Sequence, residues 1–331
     1  MDKSFRTIVD VKPFPFGIDY NTPTLFVGSC FTENIGEMML ERKFPVLINP
    51  FGVVYNPVSV SLVLNRITQG KPYTENELLE QNGLWLSLDH HTSYSRISKD
   101  DCINSINSSL EETSNFWSHT QYLVLTFGTA RVYYYNKTGL PVANCHKIPA
   151  KEFTNKLLSV KEIVSLWSSD LNNIFNVKPN LKVILTVSPV RHWKDGPSGN
   201  QVSKATLILA INQLVELFPQ KVFYFPAYEI LMDDLRDYRY YADDMLHPSQ
   251  LAISYIWEKF KHTLVHSTAQ EFSVDIEKVL QAVKHKPFNT KTKEFKQFVE
   301  KNLSKIDEIR RLNPTLDFTN EYQTLKDYLL E

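Results

Sequence analysis

Residues 24–36 read TLFVGSCFTENIG. An apolar run, Leu25 to Val27, ends in three small residues, Gly28, Ser29 and Cys30. Helical spacing follows at once, with Phe31, Ile35, Met38 and Met39 on one side. The pattern predicts a buried strand, a tight turn and an amphipathic helix that Ser29 or Thr32 can cap. The unit recurs along the chain. FPVLINPFGVVYNP (44–57) predicts a second strand and a Gly/Pro loop, and VSVSLVLNRITQG (58–70) a helix closed by Gly70. A helix is expected over 98–119, a strong strand over QYLVLTFGTARVYYY (121–135), then a hairpin-like excursion through Asn136 and Gly139. The amphipathic helix VKEIVSLWSSDLNNIF, the strand LKVILTVSPVRH, the helix SKATLILAINQLVELF, the strand KVFYFPAYEIL and the helix QLAISYIWEKFKHTL complete the alternation. Alternating strands and helices predict an α/β fold, a mostly parallel sheet covered on both faces, with ligands held at the strand tips. The expected division is an α/β domain over 1–266, with an aromatic-rich insertion or lid at about 71–96, and a helical extension over 267–331.

Bulk composition narrows the classes. The chain has 331 residues, 43% of them hydrophobic, enough for a large core. Its 36 Lys and Arg against 37 Asp and Glu leave a formal net charge of -1, without the basic footprint of a nucleic-acid binder or the polybasic segment of a membrane-surface protein. Cys30, Cys102 and Cys145 form no CxxC pair, which argues against a disulfide framework or a zinc knuckle. The N-terminal stretch lacks a signal-peptide apolar run and no segment has membrane-span length, so a cytoplasmic address is expected.

Two short segments can carry chemistry. Ser29, on the strand-to-helix turn, can present its Oγ at the sheet edge beside backbone N–H groups able to hold an oxyanion; it can equally be a helix cap. In DDMLHPS (243–249), Asp244 stands three positions before His247 and can bond its Nδ1, leaving Nε2 free as a base; a surface ion pair or a role for Asp243 is the plainer alternative. Cys30 is a rival nucleophile, with a small buried hydrophobe the favoured account. His90 and His91, in the insertion, can line a pocket or sit in a surface loop, but adjacent histidines make a poor metal motif. His146 and His192 can face the site. Arg191 and His192 can take an anionic substrate group, although a stabilising salt bridge is the favoured account for them. The tyrosines at 133–135 and 238–241 can stack on sugars or be ordinary half-buried residues.

The serine after the first strand and the DxxH before the last core helix together match the SGNH-hydrolase arrangement. GSCFTENIG further resembles the eponymous motif of the GSCFA family, with Thr32 where Ala is usual. NPFGVVYNP, TFGTARVYY, NCHKIP, TVSPVRH, DLRDYRYYADDMLHPS and YIW, in order across about residues 20–262, are similar to the same family. The resemblance implies a three-layer, flavodoxin-like sandwich of the SGNH type, with Ser29 as nucleophile and Asp244 and His247 as acid and base. It also implies oxyanion donors near Gly52 and after the third strand. There the chain reads Gly128-Thr129-Ala130 in place of the usual Asn, and Asn144 can substitute or be a turn amide. The activity so implied is ester hydrolysis on a small-molecule or carbohydrate ester without metal or organic cofactor. An acyltransferase and a non-catalytic binder are the alternatives.

Overall fold

The computed structural model describes residues 7–285 and 288–330. Met1 to Arg6, the start of the stretch read above as lacking a leader, lie outside the described residues. In chain order the elements are β1 (Thr24–Gly28), α1 (Cys30–Glu41), β2 (Val46–Ile48), α2 (Pro57–Gln69), β3 (Leu79–Gln81), β4 (Leu84–Leu86), α3 (Lys99–His119), β5 (Tyr122–Phe127), β6 (Arg131–Tyr135) and β7 (Leu140–Val142). Then come β8 (Phe153–Leu157), α4 (Val160–Val177), β9 (Lys182–Val187), α5 (Gly196–Leu217), β10 (Val222–Phe225), α6 (Gln250–Leu264), α7 (Ser267–Lys284), α8 (Lys293–Leu312) and α9 (Thr319–Leu330).

Five strands form one parallel sheet in the order β10-β9-β5-β1-β2. From the far edge this is the 2-1-3-4-5 order of flavodoxin-like sheets, whose order reverses between the first and third strands. Both faces are covered, and the period-2 alternation of each strand divides its side chains between two cores. Leu25 and Val27, Leu123, Leu125 and Phe127, and Val183, Leu185 and Val187 point into a core shared with α2 to α5. Phe26, Val124 and Ile184 point the other way, into a core shared with α1 and α6. The C-terminal helices extend that second core through Ile276, Val279, Phe295, Val299, Ile306 and Ile309. Arg42 pairs with Glu277, and Lys43 with Glu321 at 2.6 Å, joining the end of α1 to the tail.

Some expected elements differ: the strand expected over KVFYFPAYEIL ends at Phe225, and Ala227–Glu229 and Ile230–Asp234 are helical. The run 121–135 is not one strand: it breaks at Gly128 to Ala130, where the N–H groups of Gly128 and Thr129 both donate to the Tyr55 carbonyl, at 2.7 and 3.0 Å. Beyond the break, β6 joins β7 and β8 in a separate antiparallel sheet. The segment 71–96, read as an insertion or lid, forms a two-stranded sheet apart from the central one. It holds the β3–β4 hairpin and buries Tyr73, Leu78, Leu86 and His90.

β1 ends where space runs out. Gly28 has φ +150°, and a Cβ there would lie 2.3 Å from the Thr126 carbonyl oxygen and 2.8 Å from its nitrogen. Gly28→Ala is therefore expected to destabilise the fold by about 3 kcal/mol, through overpacking and backbone strain together. The denaturant midpoint would report it, and an unchanged midpoint would show that β1 and β5 can separate at this corner.

Candidate functional site

The corner after β1 is tied from three sides. The Gly28 N–H donates to Asn49 Oδ1 at 2.8 Å, its carbonyl accepts from the Val54 N–H at 3.0 Å, and the Ser29 N–H reaches the Thr126 carbonyl at 3.3 Å. Thr32, where the family usually has Ala, donates its buried hydroxyl to Thr126 Oγ1 at 2.6 Å and adds a fourth tie behind the serine. Ser29 occupies the N-cap position of α1 with extended backbone, yet its side chain makes no capping bond. Its Oγ is buried and has no hydrogen-bond partner among the described residues. Buried hydroxyls are nearly always bonded, so capping does not account for this one.

The second element is the loop before α6. Asp244 accepts from three donors: the N–H groups of His247 and Leu246, both at 2.9 Å to Oδ1, and His247 Nδ1, at 2.5 Å to Oδ2. The His247 N–H, then its ring, then the Leu246 N–H hold the carboxyl down at about 2, so it stays ionised. Met245, with φ +59°, makes the turn that folds the loop onto the carboxylate. The tautomer this bond selects carries its proton on Nδ1 and leaves Nε2 as an acceptor.

Ser29 and His247 line one cavity of about 520 Å³ at the carboxyl ends of the strands, with Cys30, Val53, Tyr55, His91, Arg131, Asn144, Arg191, His192 and Trp193 among its walls. The other residues singled out by sequence divide. Asn144 is on the wall; its Oδ1 accepts from the His146 N–H at 2.9 Å, and among the described residues its Nδ2 meets no protein acceptor. His91 is on the wall. His90 is not: it is fully buried, stacks on Phe51 at 4.4 Å, bonds Ser87 Oγ at 2.9 Å, and burial drives its pKa down to about 3. Its place is the core. His146 is buried as well, bonded to the Ser87 carbonyl at 2.7 Å.

Neither glycine proposed for the oxyanion fits. The Gly52 N–H is committed to the Asn49 carbonyl at 2.7 Å, and the Gly128 N–H to Tyr55. Gly52, at φ +85°, is needed because a Cβ would collide with the His91 side chain at 2.1 Å. The residue after it, Val53, lines the cavity, and among the described residues its N–H has no protein acceptor. Which N–H a tight turn leaves open is settled by the turn, not by residue type.

Cys30 is half-buried, its Sγ 4.0 Å from the Tyr55 hydroxyl, and burial raises its pKa. A raised thiol pKa favours the protonated sulfur over the nucleophilic thiolate. His192 is a second imidazole at the site. Its Nε2 is 3.0 Å from where a Gly128 Cβ would be, a point 3.5 Å from Ser29 Cβ. Burial first, then the charges of Lys204, His247 and Lys194, lower its pKa to about 4. No carboxylate backs it among the described residues, so it is a neutral wall and a poor base.

Beneath the floor lies Lys204, fully buried on α5. Its Nζ donates to the Gly128 and Ser188 carbonyls, both at 2.7 Å, joining the ends of β5 and β9. Among the described residues it has no carboxylate partner. Nothing in the sequence marks it, since a lone Lys within a helical pattern reads as an exposed position.

The family model described as "GSCFA family" matches residues 23–260, and that described as "GSCFA domain protein, C-terminal domain" matches residues 276–331. No curated protein and no solved structure matches the chain. Among the described residues no helix is long and apolar enough to cross a membrane.

Burial, with Arg191 adding, lowers the Lys204 pKa from 10.5 to about 7. A lysine whose folded pKa lies below its unfolded one binds fewer protons when folded, so stability rises with pH across the window between the two. Against Lys204→Met, the wild type is expected to gain up to about 1.4 kcal/mol per pH unit from pH 7 towards 10, in denaturation at stepped pH. Equal slopes for the two proteins would assign the titration elsewhere.

Proposed function

The chain belongs to the GSCFA family, and we propose that it is a serine-dependent acyl hydrolase acting on a small ester, such as an acylated carbohydrate. One observation carries this: a buried serine hydroxyl with no partner among the described residues shares a cavity with an imidazole whose far nitrogen is held by an ionised carboxylate. Ser29 Oγ attacks the ester carbonyl carbon as its proton passes to His247 Nε2. The carbonyl oxygen becomes an oxyanion, facing the Val53 N–H and Asn144 Nδ2. As the carbonyl re-forms, the ester C–O bond breaks, and the alcohol leaves with the proton from His247. Water then attacks the acyl-serine, again giving its proton to His247, and the acid departs as Ser29 recovers its own. Asp244 orients the ring and stabilises the imidazolium formed in each half.

Water as the acceptor, in preference to a sugar hydroxyl, is favoured because the His247 side chain is 48% exposed and the segment 71–96 packs into the core. The three cysteines are free, which suits a cytoplasmic setting.

Ser29→Ala is expected to abolish p-nitrophenyl acetate turnover and covalent labelling by a fluorophosphonate, while Cys30→Ala keeps both. Labelling that survives loss of Ser29 would transfer the chemistry to another residue, and no labelling of the wild type would favour a binding protein. Asp244→Asn should lower kcat on the order of 1,000-fold or more, by misorienting the imidazole. A loss under tenfold, read from steady-state kinetics, would count against the dyad.

A further inference from the structure

The catalytic cavity has a neighbour. A second cavity of about 550 Å³ lies on the other side of the 244–247 loop, and the two share Arg191, Trp193 and Leu246 as common walls. The second is lined by aromatic and basic groups, among them Tyr238, Tyr241 and Arg236. Trp193 and Tyr238 are 51% and 77% exposed, unusually open for such large rings.

The carboxylates on these walls are all committed. Asp195 pairs with Arg131 at 3.2 Å, Asp244 holds His247, and Asp237 lies 3.7 Å from Arg239. Arg236 is itself neutralised by Asp233 at 2.7 Å. Two cations are left over. Lys194 is at the rim, and Arg191 is at the junction. Among the described residues neither has an acidic partner. Arg191 is half-buried, its Nε has no hydrogen-bond partner among the described residues, and its guanidinium faces the Trp193 ring at 5.4 Å. The groups it does influence are Tyr228, Tyr241 and the buried Lys204, none of them an anion at neutral pH. Among the described residues the salt bridge expected for Arg191 from sequence is thus missing, and a half-buried guanidinium whose Nε is shut off from solvent gains from an anion that a ligand supplies.

We infer that the two cavities form one cationic cleft, in which Arg191 takes a carboxylate or phosphate group of the substrate beside the ester cleaved at Ser29. It rests on the hydrolase reading above. The planar guanidinium offers paired donors to either anion, and Trp193, Tyr238 and Tyr241 supply apolar faces for a ring that carries it. Among acylated carbohydrates this selects acidic or phosphorylated sugars over neutral ones.

Three aryl acetates test it with the full chain: methyl 4-acetoxybenzoate, 4-acetoxybenzoate and 4-acetoxyphenyl phosphate, each kcat/KM normalised to the ester's alkaline hydrolysis rate. The wild type should prefer at least one charged ester over the neutral one by about 10- to 100-fold, the range of a charge-assisted contact. The preferred one identifies the anion. Arg191→Met should bring the ratio to within a few-fold of unity, and Arg191→Lys, which keeps the charge, should restore part of it. Equal wild-type rates on all three, or a preference that survives Arg191→Met, overturns the assignment. If no ester is cleaved, the hydrolase reading fails by itself, and calorimetric titration with 4-hydroxybenzoate and 4-hydroxyphenyl phosphate decides the anion site. Binding lost in Arg191→Met supports it, and no binding to the wild type overturns it.

Discussion

The contact of Gly28 with Thr126 sets the geometry of everything at the strand ends. Two parallel strands approach so closely that no side chain fits between them, and the last residue of the first strand must be glycine. The chain then has to turn, and Ser29 is the residue on the turn. Asn49 from the loop after β2 and Thr126 from β5 fasten the same corner, so three neighbouring strands agree on where the hydroxyl stands. A group held by backbone in this way needs no capping bond of its own and is left with its hydrogen-bonding capacity unused.

A second constraint acts from below. Backbone carbonyls at the ends of β5 and β9 have no ladder partner at the sheet edge, and buried carbonyls seek donors. Lys204 supplies one donor to both. The strand ends are thereby locked, and so is the start of the loop that carries Arg191 and His192. The consequence is electrostatic as well as mechanical. A buried amine and an unpaired guanidinium stand behind the cavity, while its carboxylates are tied up in local pairs. Burial, with the charge of Lys204 adding to it, keeps His192 neutral, whereas His247 is exposed and carries its own carboxylate.

Much of the architecture was legible because burial imposes a period. The strands at 24–28, 122–127 and 182–187, the helices at 57–69, 99–119, 160–177 and 250–264, and the helix 196–217 from Ser203 onward follow from apolar spacing, and Gly70 closes its helix in the left-handed region as anticipated. The break at Gly128 was not legible. The residues on either side are equally β-prone, and what separates them is a distant carbonyl, that of Tyr55, capturing two N–H groups. His90 and His91 show the same limit within the site. Adjacent and chemically identical, they go to the core and to the cavity wall respectively, because neighbouring residues leave the chain in different directions.

By itself the sequence determined the alternation of strands and helices, the small-residue turn at 28–30 and the local Asp244–His247 pair, all of which depend on neighbours within a few positions. Only the tertiary structure decided that Ser29 and His247 share a cavity and that, among the described residues, the Val53 N–H is open while those of Gly52 and Gly128 are engaged and Arg191 has no acidic partner. Hydrogen-bond commitment and charge pairing are settled by groups far apart along the chain, and no local pattern encodes which of them will meet.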